Sequence, residues 1–440
     1  MLSFAGLITL GTAALMLPAM QAPGGVSWVD CLFTATSAVC VTGLITVDTA
    51  TAWSGWGQGV ILCLIQLGGL GIMTFSVALL YLAGRRPAAH SYQAVRGALG
   101  PIPASELGRV IKDVVVYTAV TEGLGAAVLW WRFGLDYGWA RGLALGVFHS
   151  ISAFCNAGFS MFSTSLMAYR ADPTVNLAVM GLITAGGIGF LVIEELLKRL
   201  RTWRQGRRPP RLSLHTRMVL TTSGVLVLGG AGVLWIFEYI ANHGQVWGGS
   251  LWPVFFTAVT PRTAGFNTIP MNALSNASVA LLLGLMFVGA SPGSCGGGVK
   301  TTTLAVLVSM VRTHLRGRRG AEAWGRRVEE GQVGAALSLV LGSLALLGLA
   351  LMVLLSLHLP KGPLGHQRGE FLVLCFEAVS AFGTVGLSLG ATAKLTTAGK
   401  LVVIMLMFIG RVGPLSFVYS IAQRMKAPRY RLAEEHVLIG

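Results

Sequence analysis

Two stretches of the 440-residue chain resemble catalytic motifs, and neither stands in the context its chemistry needs. Gly289-Ala-Ser-Pro-Gly293 fits G-x-S-x-G, which marks a serine nucleophile when it turns from strand to helix. Here it lies between apolar runs, and no His/Asp pair is evidently placed to activate Ser291, so hydrolysis is disfavoured. The overlapping Gly293-Ser-Cys-Gly-Gly-Gly-Val-Lys-Thr301 resembles a phosphate loop, but Val299 precedes Lys300 where the motif requires Gly, and an ATP site is rejected. The six cysteines form no C-x-x-C pair and no His pair stands at ligand spacing, so zinc and redox readings are weak.

A different chemistry recurs four times. Phe33–Leu44, Phe148–Phe159, Phe256–Phe266 and Phe376–Leu387 superimpose when aligned on their last glycine: Gly43, Gly158, Gly265 and Gly386. The endings are Cys40-Val41-Thr42-Gly43, Cys155-Asn156-Ala157-Gly158, Arg262-Thr263-Ala264-Gly265 and Gly383-Thr384-Val385-Gly386. They offer neutral backbone dipoles rather than a preorganised set of thiolates or imidazoles. That is ligand chemistry for a hard cation, not for a transition metal. A second register follows the first: Gly68-Gly-Leu-Gly71, Gly186-Gly-Ile-Gly189 and Gly410-Arg-Val-Gly413 stand after three of the loops, and the third copy is expanded into Gly289–Leu304. Close helix packing explains any single glycine. It does not explain two registers repeating in the same order, with a period of a whole helix–loop–helix unit.

The elements that must hold these loops are membrane helices. With 54% hydrophobic and only 11% charged residues, against about 25% charged in soluble domains, the composition excludes an ordinary cytosolic enzyme. Eight apolar segments are long enough to span: about 2–22, 56–83, 110–133, 174–200, 216–241, 276–312, 332–358 and 398–422. The first lacks a basic start and a cleavage site and reads as a retained helix rather than a signal peptide. The net charge of +16 raises nucleic acid as a partner, but position decides against it. Twenty-three of the 33 Lys and Arg residues fall in four clusters, Arg85–Lys112, Lys198–Arg217, Arg312–Arg327 and Arg424–Arg431. Their alternation with sparse loops predicts that the clusters and the C-terminus face the cytoplasm of a multi-pass cell-membrane protein.

The four glycine loops lie on the basic-poor side and are too short to cross, as expected of re-entrant segments. Non-helical backbone at that depth must be buried in protein or line water. The reading is therefore an all-α polytopic membrane protein with four membrane–pore-loop–membrane repeats around a central pore: eight transmembrane helices plus four re-entrant pore helices. The repeats run 1–100, 101–212, 213–330 and 331–440. Short helices would turn their negative C-terminal ends to the axis, and extended strands would present carbonyls to a dehydrated cation. The unlike side chains flanking the four strands predict one good ion site near the glycines rather than a row of equal sites.

Three cations need separate placement. Arg411, at mid-helix, costs about 2.5–3.5 kcal/mol to insert and should face a cavity. It is either a buried partner for Glu377 or Glu122, or a positive barrier below the loops. Arg262 is expected to pack behind the third loop and hydrogen-bond carbonyls. Lys300 contacts either cytosolic solvent or the loop before it. Asp30, Asp48, Asp136, Asp172 and Glu370 fall on the outer side, as a solvated rim or as a cation-concentrating field. The run Gly289, Ala290, Ser291, Pro292, Gly293, Ser294, Cys295, Gly296, Gly297, Gly298 cannot be continuous helix, with Pro292 and five glycines in ten residues.

Ser37–Ile45, Cys155–Met161, Thr260–Pro270 and Ala381–Leu389, with the expanded Gly289 segment and Gly410-Arg-Val-Gly-Pro414, resemble the filter loops and inner helices of the Trk/Ktr/HKT potassium transporters over essentially the whole chain. The resemblance implies potassium uptake through four channel-like units, with Gly43 in the first filter going with potassium where a serine goes with sodium. It implies that residues 289–298 form an intramembrane gate beneath the filter and that Arg411 is an electrostatic barrier. It further implies a homodimer, a cytosolic KtrA-like regulatory ring binding ATP or ADP, and Na+ as an activator. K+ is then the substrate, and no covalent cofactor is expected. A passive cation channel of the same architecture stays open from sequence.

Overall fold

The computed structural model describes residues 2–71, 107–318, 320–358 and 369–413. Fourteen helices of eight or more residues lie among these residues, labelled here α1 Leu2–Leu15, α2 Trp28–Val39, α3 Gly55–Gly69, α4 Leu107–Tyr137, α5 Trp139–Phe154, α6 Pro173–Gly187, α7 Phe190–Arg204, α8 Leu214–Asn242, α9 Trp252–Val259, α10 Asn276–Phe287, α11 Thr301–His314, α12 Glu330–His358, α13 Glu370–Gly383 and α14 Thr397–Val412. Three are long and apolar enough to cross a membrane alone: Val110–Tyr137 within α4, α8 and α12. These match the expected spans 110–133, 216–241 and 332–358.

The helix that follows each glycine loop behaves differently. Its start is fixed by a side-chain cap: Ser54, Asp172, Ser275 and Thr396 each accept a hydrogen bond from a backbone N–H of the first turn. Its end comes early. The helix stops before Gly71, Gly189 and Gly413, which share left-handed φ values of 77°, 96° and 92°. Glycine alone takes that conformation without a Cβ penalty. The expected single span 174–200 is thus two helices, α6 and α7, bent by 103°. The expected 276–312 is α10 and α11 separated by non-helical backbone, with a parallel bridge between Val288 and Val299. The first segment is helical only to Leu15 before a short 3-10 turn at Pro18–Met20. The remainders of 56–83 and 398–422, and the basic residues Arg424–Arg431, lie outside the described residues.

An element with no helical counterpart follows α11: an antiparallel hairpin pairs β1 (Ala321–Ala323) with β2 (Arg326–Val328) in the register Ala321 to Val328. Trp324 and Gly325, at φ 50° and 73°, form the tight turn that a two-residue hairpin requires. The all-helical expectation is corrected to that small extent.

The largest core cluster draws on all four expected repeats and includes Phe33, Phe154, Phe159, Phe266 and Phe382. α14 packs against α2, so the last described helix returns to the first repeat. Lys400 seals that seam with an ion pair of 2.6 Å to Asp30.

Candidate functional site

The short helices α2, α5, α9 and α13 each run into one of the glycine loops. At the turn, a hydroxyl placed in the helix's last turns or its C-cap holds the chain that leaves. Ser37 Oγ accepts from the Gly43 N–H at 3.0 Å, and Ser380 Oγ from the Gly386 N–H at 3.1 Å. Ser152 donates to the Phe159 carbonyl at 2.8 Å, and Thr260 to that of Phe266 at 2.6 Å. The third loop is one residue tighter: Ala264 bonds back to the Thr260 carbonyl, whereas Thr42, Ala157 and Val385 reach a residue five positions earlier.

The backbone repeats residue by residue. Two positions before each glycine a side-chain-bearing residue takes positive φ: Val41 at 55°, Asn156 at 60°, Thr263 at 71° and Thr384 at 50°. The glycines follow at 90°, 71°, 76° and 90°. Strained conformations of non-glycine residues persist only where the surroundings over-determine them, and they concentrate at functional sites.

The four glycines are neighbours in cyclic order. A Cβ on Gly43 would lie 2.5 Å from the Ala157 carbonyl oxygen, one on Gly158 2.9 Å from that of Ala264, and one on Gly265 2.6 Å from that of Val385. A Cβ on Gly386 would run into the Thr42 carbonyl and close the circle. Cys40, Val41, Thr42, Asn156, Ala157, Thr263, Ala264, Thr384 and Val385 have no exposed surface. Among the described residues, no N–H or side chain donates to the carbonyls from Val41 to Gly43, Asn156 to Gly158, Thr263 to Gly265 or Thr384 to Gly386. Buried carbonyls without a protein partner are uncommon, and four sets brought together offer a cation a cage of hard oxygens.

A second glycine layer supports the ring. Gly68, Gly186 and Gly410 press against the carbonyls of Val39, Phe154 and Phe382, each four residues before its ring glycine. Any side chain there would push the helix end away from the ring.

The Gly289–Gly298 segment lies against the loops. The Gly297 N–H donates to Thr384 Oγ1 at 3.0 Å, and a Cβ on Gly296 would meet Thr263 Oγ1. Its other bonds tie it to different repeats: Ser291 N–H to the Gly187 carbonyl, Cys295 N–H to that of Gly186, and Gly298 N–H to that of Gly410. Ser291 is fully buried and accepts from the Thr301 hydroxyl at 3.0 Å. Lys300 folds back on the segment, donating to the Gly296 carbonyl at 2.6 Å, which settles its two sequence readings in favour of the loop.

Arg411 joins this segment to the first repeat, donating to the carbonyls of Cys295, Gly68 and Gly69. Neither proposed carboxylate is its partner. Glu377 is fully buried and serves the loop after the fourth glycine, accepting from Ser388, Thr392 and the N–H groups of Leu389 and Ala391. Glu122 accepts from Gln66 at 3.2 Å and lies beside Cys155. Arg262 is 9% exposed and donates no hydrogen bond among the described residues, so the expected bonds to carbonyls are absent. It lines a cavity of about 260 Å3 between α6 and α8, behind the third loop.

The acids expected on the outer side are mostly engaged. Asp30 pairs with Lys400, Asp48 caps a four-residue helix, and Arg132 bridges Asp136 and Asp172 at 2.9 and 2.5 Å. Glu370 is exposed. Residue type alone did not reveal the hydroxyls Ser37, Ser152, Thr260 and Ser380, although their near-constant distance from the glycines was a usable signal.

Residues 7–432 match the TrkH family, described as cation transport protein. The chain is 39% identical to the Ktr system potassium uptake protein B of Bacillus subtilis, over 94% of this chain and 90% of that one. It is 36% identical to the Vibrio alginolyticus protein of the same name, covering 100% and 94%, and 36% identical to the potassium/sodium uptake protein NtpJ of Enterococcus hirae, covering 99% and 95%. The crystal structure of the potassium transporter TrkH from Vibrio parahaemolyticus shares the fold, with a TM-score of 0.72 at 18% identity over 96% of this chain and 82% of that chain. These likenesses are to transporters, not enzymes, and with the long apolar helices they make this an integral membrane protein. The chain belongs to the TrkH family of cation transport proteins.

Proposed function

We propose that this chain takes up potassium across the cytoplasmic membrane through the ring of glycine loops. The observation that carries the reading is the cyclic contact of Gly43, Gly158, Gly265 and Gly386, with four sets of buried carbonyls that have no protein donor among the described residues. A dehydrated K+ exchanges its water for those oxygens, and the negative ends of α2, α5, α9 and α13 add a favourable field. The unequal third loop supports one well-formed ion site rather than four equivalent layers.

The 289–298 segment is the gate. It bonds Thr384 from one side and is held by Arg411 from the other, so the ion path below the ring is obstructed while those bonds stand. Arg411 adds a positive charge at the same level, an electrostatic barrier to a cation leaving the ring. In this reading the basic clusters and the C-terminus face the cytoplasm. The chain works as a homodimer, a cytosolic ring binding ATP or ADP acts on the basic loops, and Na+ activates transport. The names of the Bacillus and Vibrio relatives, which place them in a multicomponent system, support a partner subunit.

The test is potassium uptake in cells that lack their own potassium transporters, comparing wild type with Gly43→Ser and with a cytosolic partner co-expressed. Growth is expected at low potassium with wild type, and loss of preference for potassium over sodium with the variant. Absence of uptake with the partner present would overturn the proposal.

A further inference from the structure

Where α11 approaches the hairpin, it and α8 leave a groove of about 530 Å3. One side of α11 supplies Leu304, Val308 and Arg312 at i, i+4 and i+8, a line about 12 Å long that passes from apolar to cationic. Val225 of α8 lines the same groove, as do Arg316, Arg318 and Trp324 toward the hairpin. Val225 and Val308 are 70% and 56% exposed, so the apolar part is uncovered by protein among the described residues. Of these arginines only Arg318 has a carboxylate among the described residues, Glu322 at 3.2 Å; Arg312 and Arg316 donate no hydrogen bond to any described residue.

We propose that this groove binds an anionic phospholipid of the cytoplasmic leaflet, with its phosphate on Arg312 and Arg316 and an acyl chain along Val225 and Val308. The inference rests on the proposed topology, in which this end of the helices meets the cytoplasm. Charge complementarity selects the occupant. Three guanidiniums and one carboxylate line the hairpin end of an apolar furrow, and guanidiniums match phosphate oxygens bidentately. Basic pockets between helices on the cytoplasmic side take such headgroups, and a half-exposed tryptophan fits the interfacial level.

The site reaches the gate through one helix. Thr301 opens α11 and bonds both the Ser291 hydroxyl and the Ala290 carbonyl. A lipid that holds α11 therefore biases the segment that obstructs the ring, making anionic lipid a regulator of uptake.

Native mass spectrometry of the full-length protein with added phosphatidylglycerol tests this without reference to transport. Wild type is expected to retain the lipid. Arg312→Gln/Arg316→Gln should weaken retention by about fivefold per arginine, and Arg312→Lys/Arg316→Lys, which keeps the charge but loses the bidentate fork, should fall between that pair and wild type. The control pair Arg201→Gln/Arg204→Gln, on α7, should leave retention unchanged. Val308→Trp, which fills the groove while keeping the charges, should also displace the lipid and serves if the glutamine pair does not fold. Equal retention by wild type and the Arg312/Arg316 glutamine variant overturns the proposal, as does an equal loss in the control pair. Retained lipid with lost binding of a cytosolic protein would overturn it in favour of protein docking.

Discussion

A methyl group on Gly43 would sit 2.5 Å from the Ala157 carbonyl oxygen at a backbone φ of 90°. Both conditions oppose any side chain, and alanine at positive φ costs roughly 1–2 kcal/mol before the ring spreads. Gly43→Ala is expected to lower rubidium uptake at least tenfold with normal membrane abundance. Gly284→Ala, in α10 with no described residue within 4 Å of its added methyl, should behave as wild type. Equal loss in both would mean that glycine content, not ring geometry, matters. Arg411 poses the opposite case, since in the proposed gate its removal would free a path. Arg411→Ala deletes the donor to three carbonyls and the positive charge beneath the ring. Uptake should rise, or leak in the closed state, in a flux assay on reconstituted vesicles; an unchanged rate would remove Arg411 from the gate.

At the scale of elements, the proposed gate depends on a few bonds between segments far apart in the chain, of which Gly297 N–H to Thr384 Oγ1 is the cleanest to remove. Thr384→Val keeps the shape and deletes the acceptor, leaving a buried N–H unsatisfied at about 1–3 kcal/mol. That cost falls on the closed arrangement, so the variant should open more readily, a several-fold rise in flux that is less than additive with Arg411→Ala. Slower flux would mean that the Thr384 hydroxyl supports the conducting loop rather than the closed arrangement. The four glycines and the helix-breaking 289–298 segment were legible because glycine and proline restrict or free the backbone in ways visible from residue type. The 103° bend at Gly189 was not, since Gly186-Gly-Ile-Gly189 sits inside a run apolar enough to span unbroken. Arg262 was legible in part: it packs behind the third loop as expected, but a long flexible side chain need not bond the nearest carbonyls, and it lines the cavity between α6 and α8 instead.

Four repeats on one chain make a ring only if the last returns to the first, and no covalent link enforces that closure. The seam is the packing of α14 on α2 together with Lys400 and Asp30, whose side chains are 15% and 13% exposed. A pair this sheltered differs from a surface salt bridge, because deleting one partner strands the other in a poorly solvated place. Ser27 also bonds Asp30 at 2.6 Å, so the carboxylate keeps one partner when the lysine is lost. Lys400→Gln should therefore destabilise by about 1–3 kcal/mol rather than by the larger penalty of a wholly unpaired charge. Asp30→Asn/Lys400→Gln, with no stranded charge, should recover part of it. A double-mutant cycle on the thermal aggregation midpoint in detergent measures the coupling. If the pair matters only locally, the single variants lose stability and keep their potassium-over-sodium preference. If the seam sets the spacing of Gly43 and Gly386, the preference falls with stability and recovers in the double variant. The contact of Gly386 with the Thr42 carbonyl favours the second outcome, since it lies at the same junction of first and fourth repeats.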